Sequence, residues 1–149
     1  MDIREENVMN HNLIKNGFLA SGIINVGGML LFSKGLSNEL LMATDPVLFS
    51  LPGCLSIILW GLAYIACRNA VFTAPYIALV FALEKLLYVV IWGIWLSQFG
   101  HTLPHLFEQD LLTGLFYAIY GANDALFMLL FIYAFVKIKG QQRQAKQMT

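Results

Sequence analysis

Four long apolar runs dominate the chain: Leu13–Ser33, Pro46–Cys67, Ala74–Ser97 and Leu111–Val136. A helix that crosses the hydrocarbon core of a bilayer needs about 20 mostly apolar residues, because a rise of about 1.5 Å per residue must cover about 30 Å. Each run meets that length. The expected fold is therefore an all-α integral membrane protein, a four-transmembrane-helix antiparallel bundle spanning residues 13–136, with helices at about 13–33, 46–67, 74–97 and 111–136. A polar N-terminal tail (1–12) and a basic C-terminal tail (137–149) flank it.

Charge follows the same division. Charged residues make up 12% of the chain, against roughly 25% in a soluble domain. Half of them sit at the two ends: Asp2, Arg4, Glu5, Glu6 and Lys15 in front, Lys137, Lys139, Arg143 and Lys146 behind. No basic stretch is interleaved with aromatics, so nucleic acid is not an expected partner. Cys54 and Cys67 fall in one run, where a helix holds them roughly 20 Å apart, too far for a disulfide. The opening residues MDIREENVMNHN are polar and acidic, unlike a basic region before a cleavable apolar core, and no removable signal peptide is expected.

Local signals set the ends of the runs. Asp45 and Pro46 match a helix start, a capping carboxylate followed by a first-turn proline, and Pro52–Gly53 should bend the helix that follows. Arg68 and Asn69 stop that helix, and the short connection to Pro75 predicts an antiparallel hairpin of the second and third helices. QFGHTLPHLFEQD reads as the longest interior loop, with Gly100 and Pro104 as breakers. With four spans, Arg4, Lys15, Arg68, Lys137, Lys139, Arg143 and Lys146 share one side and only Lys34 is on the other. The positive-inside rule then puts both termini in the cytoplasm, with a bacterial inner membrane as the expected location.

An ionisable residue at the bilayer centre costs at least about 2.5 kcal/mol on insertion scales, so it faces the bundle interior and finds a partner. Glu84 and Lys85 lie at the centre of the third run and Asp124 at the centre of the fourth. Asn25 and Ser56 lie near the centres of the first and second. Glu84 and Lys85 are about 100° apart on a helix and cannot pair well with each other, so Lys85 should pair with Asp124. Glu84 is then the odd charge, expected to be a neutral acid that donates to Asn25 or a nearby oxygen. Glu84, Tyr88, Ile91, Trp95 and Gln98 form one stripe, and Tyr117, Tyr120 and Asp124 another. The ligand-binding or proton-carrying candidates are Glu84, Asp124, Lys85, Asn25, Tyr88, Trp92, Trp95 and Tyr120.

Small residues mark packing surfaces. Gly22, Gly27 and Gly28 suit helix contact, as does the stripe Gly114, Ala118, Gly121 and Ala125. His101, His105 and Glu108 are split by Pro104, which works against a metal pair on one helix, and no metal or cofactor is expected. No catalytic motif is present, so no catalytic residue is assigned.

In architecture alone the chain is similar to the small multidrug transporters, but those place their key glutamate in the first helix, and the first run here holds no acidic residue. Three functions are compatible with these residues. One is binding or transport of a small molecule or proton at the midplane site. The second is an accessory or assembly subunit of a larger membrane complex, docking through the small-residue stripe. The third is a membrane enzyme using Glu84 and Asp124 on a lipid or quinone-like substrate. The lipid bilayer is the expected surrounding in each, and transport by so small a chain implies a homo-oligomer.

Overall fold

The computed structural model describes residues 3–147, with side chains from Val8 onward. The sequence readings that rest on Asp2 and on the side chains of Arg4, Glu5 and Glu6 lie outside this description. Among the described residues there are only helices: α1 (Ile3–Phe32), α2 (Glu39–Thr44), α3 (Leu51–Cys67), α4 (Tyr76–Phe99), α5 (Leu103–Gln109) and α6 (Leu111–Gln147). Single 3-10 turns at Ala70–Phe72 and Gly100–Thr102 complete the path. Three segments are long and apolar enough to cross a membrane: Val8–Phe32, Tyr76–Gln109 and Leu111–Gln147. At 17 residues α3 is apolar but shorter, about 25 Å by the helical rise.

The short α3 traces to Pro52. A helix begun at Pro46 would need the Pro52 N–H and would set its ring against the carbonyl of Leu48. Asp45 does cap a turn, accepting from the N–H groups of Val47 and Leu48 at 3.2 and 3.0 Å, but the chain then resets. The regular helix starts at Leu51, capped by Ser50, with Pro52 in its first turn where the missing N–H costs nothing. The chain folds back so closely that a Cβ on Gly53 would lie 2.1 Å from the Leu48 carbonyl oxygen. The expected bend is thus a helix start.

The polar ends continue as helix. α1 begins at Ile3 and α6 runs to Gln147, because polarity does not end a helix and these stretches contain good helix formers and no proline. Pro104 likewise opens α5 where a loop was expected.

Packing follows the glycines. Gly22 of α1 and Gly61 of α3 meet so closely that a Cβ on Gly22 would lie 2.5 Å from the Gly61 carbonyl oxygen. α3 therefore makes its closest backbone approach to α1, and meets α4 through the rings of Trp60, Tyr64 and Phe81. Trp92 of α4 fills the space over Gly121 of α6, and Phe107 of α5 covers Gly114. Two apolar cores result. One, at the end carrying the chain termini, gathers Phe18, Tyr64, Phe81, Phe127 and Phe131. The other, at the α2 end, gathers Met29, Leu41, Phe49, Trp95, Phe116, Tyr117 and Tyr120.

A polar clasp closes the α2 end. Lys34, Gly35 and Leu36 all have positive φ, of 51°, 69° and 71°, a region where lysine and leucine are strained. Ser33 Oγ accepts from the Leu36 N–H, and the Asn38 amide donates to the Phe32 carbonyl, to Thr113 Oγ1 and to Asp110. Lys34 pairs with Asp110 at 2.8 Å, joining the end of α1 to the start of α6.

Candidate functional site

Between the two cores the helices bring together a buried polar layer. α4 supplies Glu84, Lys85 and Tyr88, α1 supplies Asn25, α6 supplies Tyr120 and Asp124, and α3 supplies Tyr64. Lys85 is 2% exposed. Its ammonium donates to Asp124 Oδ1 at 2.7 Å and to Asn25 Oδ1 at 2.9 Å, and lies 5.3 Å from the centre of the Tyr64 ring. Asn25 in turn donates to the Ile57 carbonyl, and Asn123 to Asp124. A buried ammonium is tolerable when its charge is matched and its donors are used; here Asp124 matches the charge and two of the three N–H donors are taken by oxygens.

Glu84 points the other way. Its Oε2 accepts a hydrogen bond from the Tyr64 hydroxyl, and its Oε1 is buried with no partner. Of the partners expected for Glu84, Asn25 or a nearby oxygen, Asn25 is not used, because the roughly 100° step between neighbouring helix positions turns Glu84 to α3 while Lys85 takes the Asn25 oxygen; the nearby oxygen it meets is the Tyr64 hydroxyl, which donates to it. The Tyr120 hydroxyl is also buried and unpartnered.

All of these groups except Tyr64 line a cavity of about 120 Å³. Its floor is polar: Asn25, Glu84, Lys85, Tyr88, Tyr120, Asn123 and Asp124. Its walls are apolar, formed by Ile24, Met29, Phe32, Phe49, Ile57, Phe116 and Ile119, with Gly28 among them. Such a volume is well below the roughly 300 Å³ at the low end of drug-sized ligand pockets, so it suits a small group.

Six of the eight candidates meet here. Trp92 and Trp95 do not: the Trp92 indole donates to the Tyr117 carbonyl at 2.8 Å over Gly121, and Trp95 packs on Tyr117 with ring centres 4.6 Å apart. Ser56 is exposed and donates to the Pro52 carbonyl of its own helix. Of the first-run glycines, Gly22 makes the expected helix contact, whereas a Cβ on Gly27 or Gly28 would meet nothing within 4 Å. Neither cysteine is in a disulfide. Among the described residues no group of three or more His, Cys, Asp or Glu could hold a metal. His105 and Glu108 form an exposed surface pair.

Tyr64 was missed by the sequence reading. Counting depth from Pro46 centres the second helix on Ser56; counting from Leu51 centres it on Leu59 and brings Tyr64 nearer the layer, within reach of its long side chain. The clasp was missed too, for its members are spread over Lys34, Asn38, Asp110 and Thr113. There the Asp110 carboxyl is held well below the usual carboxylate range, first by the Lys34 hydrogen bond and then by the Thr113 hydroxyl.

No protein-family model matches this sequence, and neither the curated proteins nor the solved structures gave a match.

Proposed function

We propose that the chain is a four-span membrane protein with both termini cytoplasmic, and that it binds or carries a small molecule or proton at the polar cavity. α3, prolonged by the turn at Leu48–Ser50, is the fourth span. Lys15, Arg68, Lys137, Lys139, Arg143 and Lys146 then lie on one side and Lys34 on the other, which supports a cytoplasmic placement of the termini in a bacterial inner membrane. The observation that carries the reading is the contrast within the polar layer. Lys85 is held by two oxygens, Asp124 Oδ1 and Asn25 Oδ1, while Glu84 Oε1 and the Tyr120 hydroxyl, on residues lining the cavity, have no partner among the described residues. An unsatisfied buried polar atom costs about 1–3 kcal/mol, and two of them on residues of one cavity favour a site that a bound group completes. Lys85, Asp124 and Asn25 are the fixed scaffold, and Glu84 is the exchangeable group.

The accessory-subunit alternative leans on the small-residue stripe of α6. Phe107 and Trp92 already fill that stripe at Gly114 and Gly121, which favours the ligand site. Native mass spectrometry of wild type and Glu84→Gln, released gently from the membrane, tests the choice. A small bound mass retained by wild type and lost in the variant supports the site. A co-purifying larger protein that ignores the substitution overturns it in favour of the accessory role.

A further inference from the structure

The cavity has one incomplete wall. α1 and α6 touch on its terminal side, where Leu130 covers Gly17 and the rings of Phe18 and Phe131 meet edge-on at 4.8 Å. They touch again at the α2 end through Phe32 and Phe116, 5.5 Å apart. Between these two closures the helices part. Ile24 and Ile119, each 44% exposed, flank the cavity there. Gly28 offers no side chain to fill the gap, and a Cβ added to it would meet no atom within 4 Å. With the four-span arrangement, this gap opens into hydrocarbon.

Building on the ligand site proposed above, we infer that the cavity is loaded sideways from the lipid between α1 and α6, and that it takes the ammonium head of a lipophilic amine on Glu84. Three observations converge on this chemistry. The frame of the gap is aliphatic, so a molecule passing it must be at home among lipid tails; a bare water-borne ion would have to shed its hydration first. The cavity, about 120 Å³, holds a head and neck but not a large body, so the tail stays in the gap between Ile24 and Ile119. Finally, the only cation in the layer is committed. Lys85 is bound by Asp124 and Asn25, which leaves Glu84 as one carboxyl in excess, with a free acceptor atom. The rings of Phe49, Phe116 and Tyr120, mutually packed with centres 4.8–5.2 Å apart, line the same cavity as Glu84. Such faces attract a desolvated ammonium.

The full chain in lipid nanodiscs, with empty discs subtracted, tests this with decylammonium as the probe. Decanol has the same tail without the charge, and methylammonium the same charge without the tail. Decylammonium should bind at least about tenfold more tightly than decanol, the ratio expected for losing a hydrogen bond to a charged group, and at least about tenfold more tightly than methylammonium, which has no tail to bury, at about 0.8 kcal/mol per CH2. Gly28→Phe and Ile119→Trp, two independent ways of plugging the gap, should each reduce its binding by about the same factor while the protein stays folded. Glu84→Gln should do so as well. If both plugged variants bind like wild type and only Glu84→Gln loses the probe, the sideways route is wrong and the site stands. Equal affinity for decanol would overturn the ammonium head. Binding indifferent to Glu84→Gln would overturn the site itself.

Discussion

The terminal half of the bundle and the α2 half share α1, α3, α4 and α6, and the α2 half adds α2 and α5, yet the first is filled and the second is hollow. In the terminal half the close approaches have occupants: Leu130 lies over Gly17, Gly61 against Gly22, and the rings of Phe18, Tyr64, Phe81 and Phe131 interlock, edge to face in the Phe18–Phe131 and Tyr64–Phe81 pairs. In the α2 half, Gly28 faces open space and the aromatic rings of Phe49, Phe116 and Tyr120 stand around a cavity. Glycine in a membrane helix therefore has two opposite uses, to admit a neighbour or to leave a gap, and only the facing helix decides between them. The polar layer lies at the boundary and floors the cavity, with satisfied members, Lys85 and Asp124, beside residues that keep an unsatisfied atom, Glu84 and Tyr120.

The largest effect should come from breaking the boundary itself. Lys85→Met leaves Asp124 buried without its cation and should cost about 3–5 kcal/mol, the usual penalty for removing one partner of a buried pair. Lys85→Met combined with Asp124→Leu should recover most of that loss, read by thermal or denaturant unfolding in detergent. A double variant no more stable than the single one would mean that the pair is worth more than its charge balance.

Next comes a paired test of the two halves. Gly22→Leu drives a side chain into the Gly61 carbonyl and should cost about 1–3 kcal/mol as overpacking. Gly28→Leu has room and should leave the unfolding midpoint nearly unchanged. Equal losses at the two positions would show that the α2 half closes in solution, and the comparison between the halves would fail.

Within the layer, the two phenols should separate in the same way. Tyr64→Phe removes the only hydrogen-bond donor found for Glu84 among the described residues, and should cost about 1.5–3 kcal/mol if the carboxylate is charged. Tyr120→Phe removes a hydroxyl with no partner among the described residues, so without a bound group it should be neutral or slightly stabilising. A destabilising Tyr120→Phe would indicate that the hydroxyl is already partnered by a bound group.

How much of this could be read from the residues depends on the kind of signal. Apolar length marked the regions that become α1, α4 and α6, and the shared depth of Lys85 and Asp124 pointed to their pairing, since both follow from composition and helical rise alone. The start of α3 was not legible, because Asp45–Pro46 and Ser50–Pro52 both carry start signals, and only the clash at Leu48 chooses between them. That five-residue shift hid Tyr64. Trp92 could not be told from a ligand residue because its target, Gly121, is on another helix; which glycine a ring covers is a property of the packing. The Asp110 clasp depends on three consecutive residues of positive φ, of which only Gly35 signals that conformation in its side chain.

The smallest expected effect tests the lid of the hollow half. The Asp110 carboxyl binds Lys34, Asn38 and Thr113, and its folded-state pKa is depressed chiefly by Lys34. A depressed acid stabilises the fold while it is ionised. The contribution is therefore complete above the unfolded value of about 4 and is lost as the pH falls through the lower folded one. Lys34 is 46% exposed, so solvent screening limits the ion pair, and Asp110→Asn should cost on the order of 1 kcal/mol at neutral pH. Wild type and variant should then converge in unfolding midpoint as the medium is acidified below about pH 4. A gap between them that stays constant with pH would mean that Asp110 holds α1 to α6 by hydrogen-bond geometry alone. The α2 end would then be closed by the strained turn at Lys34–Leu36, without help from charge.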